Sequence, residues 1–179
     1  MAYYPSTCNP LDQHNCDPCE HIELGKLRSA AFISNAFTFT DPTDPTEWAA
    51  GIASGDIFII PETHGEVPLP SPKMGAGFGN TVEQLLAYDF TAKYFDPNFA
   101  SNATWYNAIK KNRNFNFAWR TETQTYISTN TVTIVPGYQV QDDLTSMVTW
   151  EVGLKWQAQD LSEPFNTPEG IFDECYVPA

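Results

Sequence analysis

Apolar and polar positions alternate along much of the chain, and the alternation predicts strands. Val148, Trp150, Val152, Leu154 and Trp156 interleave with Thr149, Glu151, Gly153, Lys155 and Gln157, the period-two pattern of a strand with one covered face. Tyr88, Phe90, Ala92 and Tyr94 interleave with Asp89, Thr91 and Lys93, predicting a strand over 85–94. Phe115, Phe117 and Trp119 do the same with Asn114, Asn116 and Ala118. Further extended stretches are predicted at 25–39 and 56–60. Two more, 123–128 and 131–135, are rich in β-branched residues and flank a turn at Thr129-Asn130.

Helical signals are fewer. Asp44 as N-cap, Pro45 in the first helical position and Gly55 as a stop predict a short helix over 45–54. Asp96 and Pro97 repeat that opening. Phe99, Ala103, Tyr106 and Ile109 then recur at helical spacing, and Lys110 and Lys111 suit a last turn, so the principal helix is predicted at about 97–111. Between these elements, 61–80 is dense in proline and glycine and reads as one long loop. One-sided alternation means antiparallel pairing. The expected fold class is therefore mainly β: an antiparallel β-sandwich with one flanking α-helix. The sequence divides into a cysteine-bearing arm at 1–24, a body at 25–158 and a second arm at 159–179.

Composition narrows this picture. At 179 residues with 42% hydrophobic and 14% aromatic content, one well-packed domain is expected rather than a disordered chain. The formal net charge of −13 disfavours direct binding to nucleic acid phosphates. The charge is uneven: residues 1–70 hold ten acids against two bases and 141–179 eight against one, while 71–140 hold four against six. Acidic ends could thus meet the basic middle of another copy, with Lys110, Lys111 and Arg113 at the centre of that middle. MAYYPSTCNP has no positive start leading into an apolar run, so no secretory signal is expected, and no apolar run approaches a membrane span. The Asn102-Ala103-Thr104 glycosylation sequon carries little weight without a secretion route.

Candidate chemistry is sparse. Three of the four cysteines lie in CNPLDQHNCDPCEH, with His14 and His21, and Cys16-Asp17-Pro18-Cys19 has the spacing of a single zinc knuckle. A structural zinc on Cys8, Cys16, Cys19 and Cys175 would clasp the two arms, and free or oxidised thiols are the alternative. No cofactor is otherwise required. His64 stands alone, Asp142-Asp143 read as an exposed turn, and Gly75, Gly77 and Gly79 lack the strand-to-helix setting of a phosphate cradle. Arg120 and Glu122 read as a charge pair at a strand end or subunit contact. Trp105, Trp119, Trp150 and Trp156, with Tyr88 and Tyr94, could form a sugar platform, but their alternation favours a core. No nucleophile or acid–base constellation appears, and an enzyme is not expected.

Several runs carry a resemblance: Tyr88-Asp89-Phe90, Asp96-Pro97-Asn98, Trp105-Tyr106-Asn107, Arg120-Thr121-Glu122, Val148-Thr149-Trp150-Glu151-Val152 and Pro168-Glu169-Gly170-Ile171-Phe172-Asp173. Together they resemble small virion proteins of tailed bacteriophages, particularly those of Bacteroidetes phages. The strand–helix–strands order is similar to the tail-tube fold, which implies stacked rings of identical subunits around a DNA conduit. The resemblance implies a self-assembling virion subunit, put together in the host bacterial cytoplasm, with itself and other virion proteins as partners. DNA would be passing cargo only, and no membrane would be involved. A capsid decoration or connector role is the alternative, and a carbohydrate- or receptor-binding module a further one. Lys110, Lys111, Arg113, Arg120 and Glu122 are the expected interface residues, and deletion of 62–79 is expected to leave a folded monomer that cannot assemble.

Overall fold

The computed structural model describes residues 22–173 apart from 78, 80, 81 and 143. In chain order the elements are β1 (Ser29–Ser34), α1 (Pro45–Ser54), β2 (Ile57–Ile60), β3 (His64–Glu66), β4 (Ser71–Gly75) and β5 (Gln84–Asp96). They continue with α2 (Ala103–Ile109), β6 (Phe115–Arg120), β7 (Gln124–Ile127), β8 (Thr133–Tyr138), β9 (Trp150–Ala158) and β10 (Phe165–Asn166). The strands form two antiparallel sheets. The first runs β10-β7-β6-β1-β2 and the second β3-β5-β9-β8, with β4 also paired to β5. The expected mainly β, two-sheet architecture is what the chain adopts.

The alternating side chains supply the inner core. Phe90, Ala92 and Tyr94 from β5, with Val152, Leu154 and Trp156 from β9, meet Phe32, Phe117 and Trp119 from the first sheet. Rings fill much of that space: Phe90 stacks on Trp156 at 5.0 Å, and Phe32 lies 5.7 Å from Phe117. Of the six aromatics weighed as a sugar platform, Trp119, Trp150, Trp156 and Tyr94 are buried in the core as the alternation favoured, while Trp105 and Tyr88 are half-buried and pack against it.

A second apolar cluster lies on the opposite face of the first sheet. Ala31, Ile33, Ile57 and Ala118 point that way and are covered by Trp48 of α1 and by Ile171 and Phe172. This explains why β1 is buried almost end to end, whereas β9 alternates strictly between buried and open positions. Helix α1 starts and stops where the sequence predicts. Asp44 accepts the Thr46 amide at 2.8 Å, and Gly55, at φ 81°, turns the chain out. The segment after 158 returns to the body, because β10 pairs with β7 and Ile171 and Phe172 enter the second cluster.

Three expectations change. The helix predicted at about 97–111 spans only Ala103–Ile109, because Asp96 stays paired to Trp150 as the last residue of β5 and 97–102 make turns first. It fills the end of the sandwich between β5 and β6, where Tyr106 and Ile109 join the inner core; α1 is the helix that covers a sheet face. The stretch 61–80 is not one loop, since it contains β3 and β4, both paired to β5. The expected turn at Thr129-Asn130 is present and carries the chain from β7 in one sheet to β8 in the other.

Gly65 sits where the chain before β1 and strand β5 both approach β3. It bridges Leu27 and pairs with Tyr94, and a Cβ there would collide with the Lys93 carbonyl and lie 2.7 Å from the Tyr94 Cα. Neither backbone atom can yield. Gly65→Ala is expected to cost about 2–4 kcal/mol of stability, read as a lower denaturant midpoint with unchanged slope.

Candidate functional site

Among the described residues the buried carboxyl is that of Asp96, at 2% exposure. Strand β5 carries it to the end of the sandwich, where burial of a carboxylate demands donors. Three converge on it. The Asn98 amide donates at 2.9 Å, the Asn102 side-chain amide at 2.8 Å and the Tyr106 hydroxyl at 2.8 Å. The Tyr94 hydroxyl lies 3.2 Å from that of Tyr106. Burial pushes both phenols well above the usual tyrosine range, and the neighbouring Asp96 charge adds to it, so both stay protonated as donors. Each Asp96 oxygen accepts at least one of these bonds, and the cluster organises the β5–α2 turn. Asn102 stands at the α2 N-cap without a side-chain capping bond, and its Nδ2 donates to Asp96 instead.

A second polar knot ties the chain before β1 to the β6–β7 turn. The Glu23 carboxylate accepts the Thr121 hydroxyl and the Thr123 amide, each at 2.6 Å, then the Thr123 hydroxyl at 2.7 Å and the Gln124 amide at 3.2 Å. The Thr121 hydrogen bond, with those of Thr123 and Gln124 and against some desolvation, holds its pKa down to about 2. Leu24 N–H also donates to Glu122, and Arg28 lies 4.0 Å from that carboxylate.

The sequence-derived interface residues separate into two places. Lys110, Lys111 and Arg113 are exposed on the link between α2 and β6. Arg120 and Glu122 lie at the opposite end of β6, about 20 Å away for six extended residues, and serve contacts within the molecule. Arg120 pairs with Asp173 at 2.9 Å, and Glu122 takes the contacts just described. The proposed zinc ligands Cys8, Cys16, Cys19 and Cys175, with His14 and His21, lie outside the described residues. Among the described residues no three His, Cys, Asp or Glu side chains gather as a metal site. His64 stacks on Phe95 at 4.8 Å, a packing role. Among the described residues, no helix is long and apolar enough to cross a membrane.

The features best suited to meet another molecule are two that residue typing did not reveal. Strand β5 has thirteen residues, but β9 pairs only with Tyr88–Asp96. Residues 84–87 therefore run on, paired to β4 alone, as a two-stranded hairpin beyond the sheet. Leu69, Met74, Val82, Leu85 and Leu86 are all exposed on or beside it. The outer face of the second sheet is also open. There Lys73 pairs with Asp89 at 3.7 Å and Lys93 with Glu151 at 3.3 Å, while Val135 stands out to solvent on β8. The sequence signal for the hairpin was the apolar pair Leu85-Leu86 outside the alternation of β5. No family model, curated protein or solved structure matches the chain.

Two predictions test these knots. Asp96→Ala strands the Tyr106 and Asn102 donors and should cost about 2–4 kcal/mol in chemical denaturation. For Glu23 the folded pKa lies below the ordinary 4.5, so its stabilising contribution is complete above pH 4.5 and is lost as pH falls toward about 2. The stability gap between wild type and Glu23→Gln should be constant from neutrality down to about pH 4.5 and then narrow as pH falls toward about 2, as followed by thermal unfolding across pH.

Proposed function

We propose that the protein is a non-enzymatic structural subunit that assembles with copies of itself, of the kind found in tailed-phage virions, as a tail-tube subunit in stacked rings. The observation that carries this reading is the apolar β4–β5 hairpin. A monomer gains nothing by holding five large apolar side chains in water on and around a projecting two-stranded ribbon, and an exposed patch of that kind marks a contact surface. The second sheet adds an open, charge-balanced face and the edge strand β8 on the far side from β3 and β4. Paired acids and bases on this face, rather than acid alone, mean that the overall −13 is not concentrated there.

The other readings have less to stand on. A glycan module drew its support from aromatics that lie in the core. The only chemistry-bearing cluster that is deeply buried among the described residues, around Asp96, is internally satisfied. Deletion of 62–79 is a poor probe of assembly, since it would remove β3, β4 and Gly65 from the edge of β5.

A gentler change suits the purpose. Val82→Glu with Leu85→Glu should leave the circular dichroism spectrum and unfolding midpoint of the monomer unchanged. The same pair should abolish rings or larger particles seen by size-exclusion chromatography and electron microscopy of the wild type. A wild-type chain that stays monomeric across concentration and salt would overturn the proposal.

A further inference from the structure

Strand β2 is the last strand of the first sheet, and its register with β1 fixes which backbone groups are spent. Ser34 N–H donates to the Asp56 carbonyl at 2.7 Å, so the opposed pairs Phe32–Phe58 and Ala30–Ile60 are the ones that exchange hydrogen bonds. The amides and carbonyls of Ile57 and Ile59 consequently point away from β1, and no strand among the described residues pairs with that side. Folded proteins guard such edges with proline or charge. The edge strand β8 carries Pro136, whereas Ile57-Phe58-Ile59-Ile60 has no guard of either kind.

That edge borders a groove of about 900 Å³. Its walls are apolar on both sides of the strand: Ile52 and Ile59 pack toward the outer cluster, and Phe58 and Trp105 toward the inner core. Asn98 and Ser101, exposed on the turn between β5 and α2, complete the rim. The groove therefore lies at the Asp96 end of β5.

The other end of β5 offers a matching edge. Residues 84–87 pair with β4 on one side, and no strand among the described residues continues β9 along the other. They read Gln-Leu-Leu-Ala, without charge, and Leu85 and Leu86 stand in solvent. From Tyr88 to Asp96 the strand runs about 27 Å, so the hairpin and the groove of one copy point apart and cannot meet. We infer that the 84–87 edge of one copy adds as a strand to β2 of a second copy, bonded to the backbone of Ile57 and Ile59, with Leu85 and Leu86 in the groove. An added strand draws affinity from main-chain hydrogen bonds and selectivity from the pockets its side chains enter. Two different surfaces are joined, so each end of a growing chain keeps a free hairpin or a free groove until a ring closes. This inference rests on the self-assembly reading and names the surface that the hairpin meets.

Complementary variants test it. Asn98→Trp with Ser101→Trp fills the groove from exposed turn positions, and Val82→Glu with Leu85→Glu disables the hairpin. Neither variant should assemble alone. An equimolar mixture should form a 1:1 pair in size-exclusion chromatography with light scattering and stop there, since one copy offers only a hairpin and the other only a groove. Hydrogen exchange gives a second readout that needs no groove variant. The Ile57 and Ile59 amides should exchange at least about tenfold more slowly in assembled wild type than in the hairpin variant. A wild type that assembles with neither the mixed pair nor that protection would overturn the inference and leave self-assembly standing. Protection that persists in the hairpin variant would overturn it too, by giving the β2 edge to the same chain. A wild type that stays monomeric removes the assembly reading and this inference together.

Discussion

The first sheet is buried on both faces, and the remainder of the molecule is arranged to make that so. Strand β1 sends Ala30 and Phe32 into the inter-sheet core and Ala31 and Ile33 the other way. A strand with no wet face needs cover on two sides. The second sheet supplies one layer, and α1 with the segment around Ile171 and Phe172 supplies the other. Small residues make this workable: Ala31 and Ala118 sit opposite each other in register and let Trp48 and Phe172 approach closely. Residues far apart in sequence, from Leu27 to Phe172, thereby depend on a single sheet.

The second sheet obeys a different rule. On β9 the inner side chains are apolar and the outer ones, Glu151, Gly153, Lys155 and Gln157, are polar or small, so this strand tolerates water on one face. Its central strand β5 is longer than any partner, and this mismatch produces both ends of interest. At one end the strand outruns β9 and becomes the exposed hairpin. At the other it carries Asp96 into a dry corner, where the carboxylate is stable only because a turn amide, Asn102 and Tyr106 all point at it. That requirement holds the chain in turns through 97–102 and delays α2. The phenol–carboxylate knot and the Glu23 knot therefore act on architecture: one fixes the closure of the sandwich, the other the point where the chain enters it.

Much of the fold was legible in the sequence because short-range physics decided it. The alternation around Trp150–Ala158 and Phe115–Arg120 predicted strands that exist, and Asp44, Pro45 and Gly55 bracket α1 to the residue. These are properties of a strand's pleat or a helix's free amides, and neighbours in sequence are enough to set them. Legibility failed where a distant partner outbid the local signal. Asp96-Pro97 has the chemistry of a helix start, but pairing with Trp150 kept Asp96 in β5. Proline-rich 61–80 has the composition of a loop, but the free edge of β5 recruited two strands from it.

The candidate surfaces divide along the same line. Residue types alone singled out Lys110, Lys111 and Arg113 as an exposed basic group, and exposed they are. They could not reveal that Arg120 and Glu122 are spent on Asp173, Arg28 and Leu24, since those contacts span 53 to 98 residues of chain. Sequence by itself determined strand identity, the α1 boundaries, the apolar inner faces and the excess of acid. Tertiary structure alone decided which strands share a sheet, which edges remain unpaired and which carboxylates are already occupied. Pairing partners and free edges are properties of the whole sheet, and no run of consecutive residues contains them.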